Sequence, residues 1–341
     1  MHRSLAFALA VCLSAPAFAQ EFPTPPPELA RFDRLLGLWD GAGTVVMEEG
    51  APAAKWVSRS TFAKVLGGFF VQEDMVIEFP GAPIPAMTFR NFYGYDTQRK
   101  RYTSVGVSNQ GATMHDELHW VDENSFVSSK THREEGRVVT ERWTTTLGKG
   151  EVRFTGDRAV GAGQFFQYVE GGLKPAQQPS AAKALEAAAG LGDPAPEMVK
   201  LNRCAGTYKM KGTYQATPEI PSMPILGTET LVPRFGGSVL EVKVVGEGFP
   251  YEAWAAWAWS AEKGCYTSIY LNNMGEISAS DMRWVGDTLV NSEATVMNGA
   301  PFLIRGEIQM NAQGAITKGR ADGMMGTSKP YTVFEAVYTK Q

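Results

Sequence analysis

The amino-acid sequence predicts an all-β protein made of two tandem antiparallel up-and-down β-barrels of about ten strands each, each preceded by a short helix, with a helical linker between them. Three observations predict it. The chain repeats itself at nearly constant offsets. Each repeat reads as short strands separated by turn residues, and helical periodicity appears only ahead of the first strand of each repeat.

The repeat is direct. Pro27-Glu28, Arg34, Gly37 and Gly67-Gly68 return 169 residues later as Pro196-Glu197, Arg203, Gly206 and Gly236-Gly237. After a five-residue deletion the offset becomes 164. Tyr102-Thr103-Ser104, Asn109, Gly111 and Trp120-Val121 then return as Tyr266-Thr267-Ser268, Asn273, Gly275 and Trp284-Val285. Two constant offsets over so many positions mark a duplication. The chain therefore divides into a leader at 1–19, a first barrel at 27–170, a linker at 171–195 and a second barrel at 196–341.

In chain order, Arg3, an apolar run over 4–13 and small residues ending at Ala17-Phe18-Ala19 have the layout of a secretory signal peptide cleaved before Gln20. The competing reading is a lipoprotein signal acylated at Cys12. The apolar run is too short for a permanent span, and no later segment is long and apolar enough, so a soluble periplasmic or secreted protein without a transmembrane anchor is expected. A short helix is predicted over 27–36. Strands follow over 41–49, 55–65, 69–78, 86–95, 101–107, 114–121, 125–132, 137–146, 151–155 and 165–169, each rich in Val, Thr, Phe and Tyr. The alanine-rich run 181–189 predicts a helix, stopped by Gly190, Gly192 and Pro194. A second short helix, over 196–204, opens the second copy. A chain of this kind closes into barrels because closure leaves no exposed edge strand.

The short helix followed by Gly37-Leu38-Trp39 resembles the opening Gly-x-Trp signature of the lipocalin, or calycin, superfamily; the second copy has Gly206-Thr207-Tyr208, with Tyr in place of Trp. Trp39-Asp40-Gly41-x-Gly43, Gly67-Gly68, Gly94-Tyr95-Asp96 and Tyr102 together resemble a bacterial calycin family of unknown function. The resemblance implies a barrel with a ligand-holding cavity and leaves the ligand open. Read physically, Trp39 plugs one barrel end, and Gly41 and Gly43 permit strand curvature or close backbone approach.

The net charge of −4 argues against nucleic acid and anionic membranes as partners, because binding phosphates needs clustered positive charge. Cys204 and Cys265 are the only cysteines after the leader, and export would allow a disulfide between them.

The local cluster with chemistry is His115-Asp116-Glu117-Leu118-His119-Trp120. On a strand, alternation puts His115, Glu117 and His119 on one face and Leu118 and Trp120 on the other. Two imidazoles and a carboxylate suit a metal, yet alternate residues lie nearly 7 Å apart, so convergence needs a bent strand or a neighbour's ligand. The second copy has Ala279, Asp281 and Arg283 there. The competing reading makes this face the solvated exterior. His132, beside Arg133-Glu134-Glu135-Gly136, reads as part of an exposed hairpin turn. Carboxylates of Glu73, Asp74, Glu117 and Glu141 could meet inside a barrel.

Aromatic residues form a second constellation. Phe89, Tyr93 and Tyr95 share one strand parity, as do Tyr251, Trp257 and Trp259 in the second copy; with Arg283 they are the candidate ligand-binding residues, and core filling is the alternative. Motifs for serine hydrolases, phosphate loops, paired cysteines and zinc proteases are absent. The expected function is binding of a small hydrophobic or aromatic molecule in a barrel cavity, with no cofactor. One alternative is an enzyme of isomerase, lyase or metal-assisted hydrolase type using His115, Glu117 or His119 with Tyr95. Another is a structural or interaction protein with filled barrels. A haem would have His115 or His119 as its only first-copy axial ligands. Residues shared by the copies report the fold, so polar residues that differ between them are the better site candidates.

Overall fold

The computed structural model describes residues 23–134, 136–177, 190–297 and 299–341; the leader at 1–19 and the helix over 181–189 lie outside the described residues. The first barrel comprises β1 (Gly37–Val45), β2 (Ala54–Val65), β3 (Phe70–Glu78), β4 (Met87–Asp96), β5 (Arg101–Ser108), β6 (Thr113–Trp120), β7 (Ser125–Glu134), β8 (Arg137–Leu147), β9 (Val152–Val160) and β10 (Phe166–Pro175). The second comprises β11 (Gly206–Tyr214), β12 (Met223–Arg234), β13 (Val239–Gly246), β14 (Glu252–Ser260), β15 (Cys265–Asn272), β16 (Ile277–Val285), β17 (Thr288–Met297), β18 (Ala300–Met310), β19 (Ile316–Met325) and β20 (Tyr331–Lys340). Each set of ten is a closed antiparallel barrel in which sequential strands pair and the first pairs with the last. β10 continues to Pro175, so the opening residues of the segment read as linker complete the first barrel. No helix among the described residues is long and apolar enough to cross a membrane.

One end of each barrel is plugged by its preceding helix. In the first copy this is a 3-10 helix, Pro27–Leu35, which inserts Leu29, Phe32 and Leu35 among Trp39, Leu118, Phe126 and Leu147. In the second, an α-helix, Pro196–Leu201, runs on as a 3-10 turn, Asn202–Cys204, and buries Met198, Leu201 and Cys204 beneath Tyr208 and Met282. The locks are duplicated too. Trp39 Nε1 donates to the Leu35 carbonyl at 2.6 Å, and Tyr208, at the equivalent position, donates its hydroxyl to the Cys204 carbonyl at 2.7 Å. The change from Trp to Tyr therefore keeps the bond that ties plug to barrel. Likewise Tyr102 and Tyr266 donate to the carbonyls of Glu28 and Glu197, and the cations of Arg31 and Lys200 lie over Trp120 and Trp284.

Cys204 faces the plug interior, whereas Cys265 starts β15 beside Asp281, with the parity of the outward Ile269. Both thiols are buried and free, so the bridge that export would allow is not made.

The two barrels pack through the outer faces of β3–β5 and β13–β15. Phe70, Phe92, Val105 and Val107 meet Val239, Trp254, Ile269 and Leu271, and the Phe92 and Trp254 ring centres lie 4.4 Å apart. The contacts are reciprocal: Gly111 lies against Ser238, and its equivalent Gly275 against Phe69, the equivalent of Ser238. This is the signature of a two-fold arrangement of like surfaces within one chain. At its centre Arg90 donates to Asp74 of its own barrel at 2.8 Å and to Glu241 of the other at 2.7 Å.

Candidate functional site in the first barrel lumen

Alternation along each strand decides what faces the lumen. In the first barrel, residues sharing parity with the core residues Val71, Leu118, Phe126, Leu147 and Val152 point inward. Near the plug these side chains are apolar and buried. Toward the opposite end they turn polar, and Phe89, Asn91, Asp116, Trp143, Phe154 and Arg158 stay part-exposed although they line the inside. Solvent therefore reaches into the barrel from that end.

The lumen holds two polar layers. The deeper one is centred on Glu73, which accepts hydrogen bonds from Ser60 (3.1 Å), Asn91 (3.1 Å) and Tyr93 (2.9 Å). Burial pushes its carboxyl up despite these three donors. The outer layer comes from β6–β10. His132 Nε2 lies 2.9 Å from Glu134, which also pairs with Arg158. Lys130 lies 3.0 Å from Glu141, which also accepts from the Tyr168 hydroxyl. Burial raises the Asp116 carboxyl, with Lys130 pulling it down and Glu141 pushing it further up. Trp143 packs edge-on to Tyr168 at 5.5 Å. Within this network His132 Nδ1 and Arg158 Nε are buried without a hydrogen-bond partner. Such orphaned nitrogens cost free energy unless something bonds them.

This layer is private to the first copy. The strand registers equate Lys130, His132 and Glu141 with Glu293, Thr295 and Ile304, and Ser60, Glu73, Asn91 and Tyr93 with Glu229, Val242, Ala255 and Trp257. By the criterion of difference between copies, the lumen of the first barrel is the foremost site.

The sequence candidates fall in several places. His115, Glu117 and His119 project outward from β6, while Leu118 and Trp120 face the core. His119 is 66 % exposed and 3.6 Å from Glu117, which is bound by Arg101 at 2.5 Å. Tyr95 is on the other side of the sheet, edge-on to Tyr102 with ring centres 5.0 Å apart near the plug, so it does not meet the histidines. Among the described residues, the one group of three or more His, Cys, Asp or Glu side chains whose ligand atoms all come within 4.8 Å of one another is His132, Glu134 and Glu141. Their carboxylates are already matched by Arg158 and Lys130. His132 is thus part of the lumen wall and not of a solvated turn, a correction to the sequence reading. The signal was present: counting by twos from the core residue Phe126 reaches Lys130, His132 and Glu134.

Phe89 and Tyr93 line the first lumen, Tyr251 the open end of the second, and Trp257 and Trp259 lie in the second core, Trp259 against Tyr266. Arg283 points outward, donates to the Gly264 carbonyl at 3.3 Å, and borders a surface cleft of about 520 Å³ between the second plug helix and β14–β16. Of the four carboxylates considered together, Glu73 and Glu141 face the lumen, Asp74 lies at the contact between barrels and Glu117 faces solvent.

Fold and site together define a duplicated, ten-stranded β-barrel protein with a polar, solvent-reached lumen. A family model described as "Protein of unknown function (DUF1579)" matches residues 24–122, which cover the first plug and β1–β6. No curated protein matches the chain. Among solved structures, the chain is similar to Rv2717c from M. tuberculosis, at 13% identity and TM-score 0.37, over 45% of this chain and 99% of that one. It is also similar to a protein with unknown function from the DUF3598 family of Nostoc punctiforme, at 11% identity and TM-score 0.27, over 93% of this chain and 99% of that one.

Proposed function

We propose that the protein is an exported, periplasmic or secreted binding protein of calycin type whose first barrel holds a small aromatic or hydrophobic molecule carrying a hydrogen-bonding group. The observation that carries this reading is the pair of buried, unpartnered nitrogens, His132 Nδ1 and Arg158 Nε, in a lumen wall that also presents the part-exposed rings of Phe89, Trp143 and Phe154. Binding pockets combine an apolar wall with a few fixed polar groups in this way. A carbonyl or hydroxyl oxygen on the ligand would satisfy Arg158 Nε, and the rings would cover its flat body.

The test is saturation-transfer NMR with a panel of aromatic acids, alcohols and ketones. Members of the panel bind, and His132→Ala and Arg158→Met weaken binding at least tenfold. His115→Ala and His119→Ala leave it unchanged. Loss of binding on the outward histidine substitutions alone would move the site to the face of β6 and overturn the proposal.

A further inference from the structure

The second lumen has a different chemistry. Glu229, Glu276 and Glu293 share inward parity with core residues or bond to inward side chains, and none of them makes an ion pair among the described residues. Their partners are neutral: the Tyr338 hydroxyl for Glu229, Asn272 Nδ2 at 2.5 Å for Glu276, and the Ser278 hydroxyl for Glu293. The charged pair Lys130–Glu141 of the first barrel is represented here by Glu293 and Ile304, so the duplication has exchanged the cation for a carboxylate. The described lysines and arginines of β11–β20 lie on the outer face or at strand ends, for example Lys209 with Glu247 and Lys318 with Glu335. Glu229 is only 7 % exposed and points into the lumen without a cation beside it.

Around these carboxyls stand phenol rings. Tyr251 and Tyr270 join their hydroxyls, Asn272 reaches Tyr270 at 3.3 Å, and Tyr214, Tyr251 and Tyr270 all feel the charge of Glu276. Tyr214, Tyr251, Tyr270 and Tyr338 remain part-exposed on the inner wall. At the rim, Arg99 from the β4–β5 turn of the first barrel donates to Thr295 at 2.6 Å and its charge acts on Glu293. A cation borrowed from the neighbouring barrel thus already stands at the mouth. A buried carboxyl with no counter-ion is costly, and a bound cation offsets that cost, while tyrosine faces attract a cation through their quadrupoles.

We infer that the second lumen is a binding site of its own for a small organic cation, an amine or quaternary ammonium compound, held among Glu229, Glu276 and Glu293 and the rings of Tyr214, Tyr251 and Tyr338. The inference rests on the reading of the barrels as small-molecule binders and adds the charge of the ligand and a second site. Glu229 also gives the site a pH dependence. Burial pushes its carboxyl up to about 7, and the groups that face it, Tyr338 from β20, Tyr208 from β11, Cys204 from the plug and Tyr251 at the mouth, are neutral at that pH. Lys340, over the Tyr208 ring at 5.7 Å, is the nearby cation on the strand end.

The experiment is isothermal titration of the full chain with choline and with its uncharged isostere 3,3-dimethylbutan-1-ol, at pH 6 and pH 8. Choline binds at pH 8, the uncharged isostere binds at least tenfold more weakly, and choline affinity rises from pH 6 to pH 8. Glu229→Gln, and separately Glu276→Gln at the open end, each weaken choline at least tenfold. Equal binding of the two probes, or retention of affinity in both Gln variants, overturns the cation site and leaves small-molecule binding standing. Absence of choline binding at millimolar concentration overturns the cation site as well, and the aromatic panel, read at His132 and Arg158 in the first barrel, then decides the broader reading independently.

Discussion

Glu229 shows how one side chain ties the lumen to measurable stability. Burial raises its pKa from the usual 4.5 to about 7, and the hydrogen bond from Tyr338 pulls the other way and loses. The folded state therefore keeps a proton that the unfolded state releases, so folding stability is greatest below pH 4.5 as far as this group is concerned. It declines as pH rises toward 7 and is flat above. The loss amounts to roughly 3 kcal/mol, from about 1.4 kcal/mol per pKa unit. Replacing Glu229 by Gln removes the ionisable group. Urea unfolding at pH 5 and pH 8 is expected to show the variant gaining most of that amount over the wild type at pH 8 and little at pH 5. A gain of equal size at both pH values would contradict the assignment.

At the scale of a strand, β1 shows why glycines sit where they do. Trp56 on β2 lies flat against Phe154, with ring centres 5.4 Å apart, donates to the Thr44 carbonyl at 3.2 Å, and fills the space left by Gly43 and Gly171. A side chain at Gly43 would collide with the Glu170 carbonyl and the Trp56 ring. Gly43→Val is expected to destabilise by about 1–3 kcal/mol through overpacking, measured by the midpoint of urea unfolding, with a smaller effect at the solvent-facing Thr44. This strand was legible in the sequence, as were the duplication, the plug helices and the order of strands, because glycine placement and period-two alternation report local geometry. The direction of β6 was not. Alternation separated His115, Glu117 and His119 from Leu118 and Trp120, but Asp116 also faces inward, so polarity alone does not mark the outside of a barrel whose lumen is itself polar. β7 misled for the same reason: Arg133 and Glu134 look like a solvated turn, although the hairpin carries His132 and Glu134 into the wall.

At the scale of the molecule, the contact between barrels was written in β14. Ala253-Trp254-Ala255-Ala256-Trp257-Ala258 is apolar at every position and buried at every position, the pattern of a strand covered on both faces. Duplication alone says nothing of how the copies sit, and the reciprocal contacts of Gly111 and Gly275 had no local signal. Arg90 holds Asp74 and Glu241 at the centre of this contact, and removing it leaves the buried Asp74 carboxylate without a cation, while Glu241 keeps only Arg234 and Lys243, each 3.6 Å away. Arg90→Ala is expected to cost about 3–5 kcal/mol and to split a single calorimetric transition into two as the barrels uncouple. A single transition with unchanged midpoint would show that apolar packing of Phe92 and Trp254 suffices. The same arrangement brings Glu262 of the β14–β15 turn to the Arg133 amide at the first mouth, and Arg99 to Thr295 at the second, so each barrel contributes to the rim of the other's lumen.

The most direct test of the central claim, that the first barrel is a small-molecule site, is native mass spectrometry of the protein purified without denaturation from a host that exports it. The account predicts an aromatic or hydrophobic small molecule bound to the wild-type chain, released on unfolding, with occupancy at least tenfold lower in a His132→Ala, Arg158→Met double variant that remains folded. Equal occupancy in wild type and double variant, or a bare chain that also retains none of the aromatic panel, would contradict it.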